Sequence, residues 1–187
     1  MKFIKSVLLA LAFMASLIPV GAGQIATADK DNPFFSPYKT PLNTPPFSMI
    51  KTEHFLPAIK EGIRRQQAEI DVLVNNPAAP TFANTLTPFD AGGQLLSEVN
   101  GVFGALQGAD TTPVIQAVAK EAAPLMAAHN DNIRLNEKLF SRIKAVYDTR
   151  AKLKLTPVEQ FLLENTYRDF VRGGALLDEK RKAGSGS

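Results

Sequence analysis

From Glu53 to Val171 apolar residues return every three or four positions, in runs broken by proline, glycine and asparagine, and no credible stretch alternates with period two. That spacing gathers apolar side chains on one face of a helix and leaves nothing to build a sheet from. The chain is therefore read as all-α, an antiparallel multi-helix array joined by short turns. Leu56, Ile59, Ile63, Gln66, Ile70, Leu73 and Val74 predict a first helix over about Glu53 to Asn75, with Thr52 as its cap and Pro57 near the first turn. Asn75-Asn76-Pro77 stops it.

A second helix is expected from Thr81, interrupted or kinked at Pro88, weakened at Gly92 and Gly93, and ended by Gly108-Ala109-Asp110. Its apolar members are Phe82, Leu86, Phe89, Leu95, Leu96, Val99, Val102, Phe103 and Leu106. Thr112-Pro113 is a cap followed by a proline at the first helical position. It opens a third helix to about Ile133 whose buried side is Val114, Ile115, Val118, Ala122, Leu125, Met126 and His129, bent at Pro124. A fourth runs from about Asn136 to Arg150 on Leu139, Phe140, Ile143, Val146 and Tyr147. Thr156-Pro157-Val158-Glu159 is a capping box and starts a fifth, carrying Phe161, Leu162, Tyr167, Phe170 and Val171 up to Gly173-Gly174.

Ahead of these helices, prolines 33, 37, 41, 45 and 46 alternate with Phe34, Phe35, Tyr38 and Phe47. Proline fixes φ and disfavours helix in the residue before it, so residues 29–51 are expected to form an extended arm. Four aromatic rings would be costly to leave in water, which predicts that the arm lies along the body and buries them. The first residues have the pattern of an export signal: Lys2 and Lys5, an apolar run from Val7 to Val20, and small residues for cleavage after Ala22 or Ala28. Residues 1–28 are read as that signal, 52–183 as the helical domain, and 184–187 as a Gly/Ser tail. The apolar run is short for a membrane span, so no stable span is expected after cleavage and the destination is periplasmic or extracellular.

Net charge is +3, of which Lys2 and Lys5 supply two, and the remainder is no nucleic-acid footprint. There is no cysteine, hence no disulfide and no lipid anchor on a cysteine, and stability must come from burial. A helix-borne zinc site needs two histidines four residues apart with further ligands. The chain has His54 and His129 only, read as structural or exposed, so no catalytic, cofactor-binding or metal residue is assigned and no cofactor is expected in this chain. Glu69 with Asp71, and Asp178 with Glu179, are read as solvated surface. Gly92-Gly93 and Gly101 with Gly104 are read as helix-packing positions. Arg64, Arg65 and Arg168 are the residues able to take a peptide carboxylate.

Four segments carry a resemblance: Asn32 to Ile59 (NPFFSPYKTPLNTPPFSMIKTEHFLPAI), Asn75 to Asp90 (NNPAAPTFANTLTPFD), Leu135 to Arg150 (LNEKLFSRIKAVYDTR) and Leu155 to Leu177 (LTPVEQFLLENTYRDFVRGGALL). In type and order they resemble the N-terminal portion of peptidyl-dipeptidases, zinc metallopeptidases of the thimet-oligopeptidase family. The resemblance implies the front part of a larger two-lobed helical enzyme that releases C-terminal dipeptides from short peptides entering a deep channel. The family's HExxH motif is absent from these residues, so zinc is expected in the complete parent enzyme and not here. The missing catalytic lobe is the expected partner, and short peptides are possible ligands. The ending at Ala183-Gly-Ser-Gly-Ser is expected to mark a truncation, whether from a linker, an expression scar or an interrupted frame. A freestanding, noncatalytic peptide- or protein-binding module is the other expectation.

Overall fold

The computed structural model describes residues 31–109 and 112–176, which contain helices and no strand. The expected signal segment, the Asp178-Glu179 pair and the Gly/Ser tail lie outside them. The α-helices are α1 (Phe55–Val74), the single-turn α2 (Thr87–Asp90), α3 (Gln94–Ala109), α4 (Pro113–Arg134), α5 (Glu137–Asp148) and α6 (Pro157–Arg172).

Helix α1 is the spine, packing on α3, α4 and α5. Its first half buries Phe55, Ala58 and Ile59 against Leu96, Val99, Val102 and Phe103 of α3 and Ile115 and Ala122 of α4. Its second half buries Ile70 and Leu73 with Leu139, Phe140 and Ile143 of α5 and Phe170 of α6. Leu86, Val146 and Leu163 close a third cluster between α5, α6 and the turn before α2. Between α5 and α6 the rings of Tyr147 and Tyr167 stack at 3.8 Å, with the Arg150 guanidinium 3.9 Å over Tyr147.

Helix starts follow the side chains available to cap them. Thr112, Asn136 and Thr156 each accept a hydrogen bond from a first-turn backbone N–H. At α6 the exchange is reciprocal, since Glu159 Oε2 accepts from Thr156 N at 2.8 Å. These interactions hold the Glu159 carboxyl below its ordinary range. We expect Thr156→Ala to lower stability by about 1 kcal/mol. Urea denaturation checks this, with Thr156→Ser losing less than half as much.

Helix α1 does not start as expected. A 3₁₀ turn, Thr52–His54, precedes it, so Thr52 lies before the cap position of α1, which His54 occupies. His54 instead reaches back, its Nδ1 accepting from Lys51 N at 3.0 Å. The second helix is divided. Thr81 and Asn84 cap each other across Phe82–Leu86, whose wide π-helical turn brings Thr87 N to Phe82 O; this runs into α2, and the chain breaks at Gly93 before α3. Pro88 has no N–H to continue a regular ladder, and Gly93, at φ +70°, turns the chain into α3.

Two expected faces are corrected. On α4 Val114 is exposed while Ile115, Ala122 and His129 are buried. On α6 Phe161 is 68% exposed and its neighbour Leu163 fully buried, because the helix turns toward Leu86 and Val146.

Residues 31–51 combine extended backbone with two 3₁₀ turns, Pro33–Phe35 and Pro41–Asn43. Phe34 is buried, its ring 5.4 Å from that of Phe55. Asn32 fastens this end, donating from Nδ2 to His54 O at 2.9 Å and accepting from Phe34 N. Phe35 and Tyr38 are half-buried, whereas Leu42, Phe47 and Met49 are exposed.

Candidate functional site

Where the 31–51 segment crosses α1 and α3 it leaves an open groove of about 780 Å³. Its outer wall carries Phe35, Pro37, Tyr38 and Pro45; Arg65 and Glu69 of α1 and Glu98 of α3 supply the charge. Gly62 lines the groove where α1 comes close to α3. It has no side chain there, and a Cβ at that position would lie 2.9 Å from the Leu96 Cα.

Charge in and around the groove is already partly committed. Arg64 and Arg65 converge on one carboxylate, each with its Nε within 2.8 Å of a Glu61 oxygen. Arg64 foremost, with Arg65 beside it, holds the Glu61 carboxyl down at about 2. Glu69 Oε2 accepts the Gly93 N–H at 2.8 Å, tying α1 to the start of α3. Arg65 also stands 5.9 Å over the Phe35 ring. The Tyr38 hydroxyl is shielded from solvent, and burial, followed by interaction with the neighbouring Glu98 carboxylate, pushes it above the ordinary phenol range.

The residues singled out from the sequence are dispersed. His54 is engaged with the Lys51 backbone. His129, 3% exposed, faces Gln66 of α1, with Nε2 2.8 Å from Gln66 Oε1. The Gln66 oxygen accepts, so that histidine nitrogen carries the proton. Among the described residues no three His, Asp or Glu side chains stand close enough to hold a metal. Arg64 and Arg65 are turned to Glu61, and Arg168 donates to Asn165 on α6. Asp71 accepts from Gln67, and Glu69, read as plain surface, is a cross-helix cap. Gly101 and Gly104 face open space and are not packing positions, whereas Gly92 and Gly93 stand against Glu69 and Gln66 of α1, and Gly62 sits where α1 meets the α3 backbone.

Burial holds the His129 imidazole below its ordinary pKa. The unfolded chain then takes up the proton first as pH falls, and stability drops between 6.5 and the lower folded value. We expect unfolding midpoints in urea to decline from pH 7 to 5, and His129→Gln to flatten that decline. Glu61 titrates well below this window.

Arg142 gave no sequence signal. Only 8% exposed, it donates to the Asn76 and Ala78 carbonyls at 2.9 and 3.3 Å and to Asn84 Oδ1 at 3.2 Å, fixing the α1–α2 loop on α5.

No family model matches the chain. Over 152 residues, 81% of its length, it is 38% identical to a dipeptidyl carboxypeptidase of Salmonella typhimurium and 34% identical to one of Escherichia coli. Its homologues are peptidases of the thimet oligopeptidase family. An oligopeptidase A of Salmonella typhimurium is 22% identical over 147 residues. The matched stretch is 22% of the length of each of these peptidases. Among the described residues no helix is long and apolar enough to cross a membrane.

Proposed function

We propose that the chain is the N-terminal, noncatalytic helical part of an exported zinc peptidyl-dipeptidase, where it walls the substrate channel and limits entry to short peptides. The observation that carries this reading is the 38% identity to dipeptidyl carboxypeptidase over 81% of this chain but 22% of that protein. The histidines of this chain do not fit a zinc site, since His54 and His129 are separately engaged. This reading leaves zinc to the portion of the parent enzyme that the chain does not match, and assigns no catalytic step to residues here. The role left for this chain is to shape and complete that portion.

Uncovered apolar surface supports the reading. Leu42, Phe47 and Met49 are exposed on one segment, and Val158 and Phe161 lie three residues apart on one face of α6. Apolar groups gathered in this way suit a further piece of polypeptide. The test is association. Mixed with the separately expressed remainder of the Salmonella typhimurium dipeptidyl carboxypeptidase, the chain is expected to sediment as a one-to-one complex. Two independent species would overturn the proposal. The second reading, a freestanding module that captures peptides without cleaving them, is favoured by the groove between residues 34–45, α1 and α3.

A further inference from the structure

The groove's chemistry selects among ligands. Arg65 is bonded to Glu61, which Arg64 shares, so its charge is already engaged. Glu69 on one wall and Glu98 on the other stand in no ion pair among the described residues. The groove thus holds two carboxylates against one paired guanidinium. Above them lie Phe35, Pro37, Tyr38 and Pro45, rings that can cover a hydrocarbon stem. Phe35 already receives a guanidinium over its face, that of Arg65. Beside Glu98 stands the Tyr38 hydroxyl, its oxygen shielded from solvent in the same wall. A volume of about 780 Å³ accommodates several residues of extended chain.

We propose that this groove binds an extended peptide through a lysine or arginine side chain, its cation received between Glu98 and Glu69 and its stem lying against Phe35 and Tyr38. Glu98 is the discriminating residue, because Glu69 also caps the start of α3. An anionic side chain would meet both carboxylates and find Arg65 engaged. A neutral apolar side chain would gain the aromatic contact alone. The proposal stands apart from the association with a further lobe, since either can fail while the other holds.

The test uses the 187-residue chain and two capped tripeptides, acetyl-Ala-Lys-Ala-amide and its norleucine counterpart, titrated by NMR at low salt. The lysine peptide is expected to bind about three- to five-fold more tightly, the size of a partly solvated ion pair. Signals of Tyr38 and Glu98 should move. Glu98→Gln should erase the difference between the two peptides. Glu121→Gln, an equal charge change at the exposed Lys60 pair between α1 and α4, should preserve it. Equal affinity for both peptides, binding of neither, or an equal loss in Glu121→Gln would overturn the proposal.

Discussion

Phe55→Ala is expected to destabilise the chain by about 3–5 kcal/mol, the usual loss when a large buried ring is removed and its space refills only partly. The ring is 1% exposed and lies between Phe34, at 5.4 Å, and Phe103, at 4.9 Å. One substitution therefore loosens the 31–51 segment, α1 and α3 together. Phe55→Leu keeps most of the volume and should lose less than half as much. Urea denaturation followed by circular dichroism separates the two. A loss below about 1 kcal/mol for Phe55→Ala would mean that the Phe34–Phe55–Phe103 cluster does not hold these elements together.

Gly62→Val should also be damaging, for the opposite reason. Even one Cβ there sits 2.9 Å from the Leu96 Cα, and backbone cannot yield as a flexible side-chain end can. Separating α1 from α3 would open the Val99 and Leu96 contacts, and we expect a loss of about 1–3 kcal/mol or more. Gly101→Ala on α3 supplies the contrast. A Cβ there meets nothing within 4 Å, so alanine should stabilise the helix by about 0.5–1 kcal/mol. The pair of variants distinguishes a glycine required by packing from one that is not. The same denaturation curves read both, and a neutral Gly62→Val would contradict the close α1–α3 approach.

Some helix starts were legible, although Thr52 does not cap α1 and α3 starts separately at Gln94. Thr81, Thr112, Asn136 and Thr156 mark them through short-range hydrogen bonding, which depends on residues two or three positions away. Rotation of a helix about its axis was less legible. Around α6 the apolar residues Val158, Phe161, Leu162 and Leu163 cover more than one face, so spacing alone could not choose Leu163 over Phe161. Contact with Leu86 and Val146, distant in sequence, decides it. Gly62 was overlooked beside the conspicuous Gly92-Gly93 and Gly101–Gly104 pairs because nothing in a single sequence marks the point where two helices meet. Arg142 was invisible for a related reason. Its acceptors are carbonyls and an amide 58–66 residues away, and no carboxylate partner advertises it.

The candidate groove was illegible as a unit, since its walls come from residues 34–45, 62–69 and 93–98. Its ingredients were nonetheless visible one at a time. Rings between prolines predicted a segment lying on the body, and Phe34 does so while Phe47 remains exposed. Arg65, selected for a peptide carboxylate, instead joins Arg64 on Glu61. Adjacent arginines one helical turn from a glutamate satisfy each other locally before they are free to meet a ligand.

The central claim is that this chain completes a peptidase whose chemistry resides in another part. Its most direct test is release of C-terminal dipeptides from an unstructured tetrapeptide, with zinc present, by the purified chain, by the separately expressed remainder of a dipeptidyl carboxypeptidase, and by both together. The account predicts no turnover by the chain alone and restored turnover in the mixture. Cleavage by the chain alone, or a mixture no more active than the remainder by itself, would contradict it.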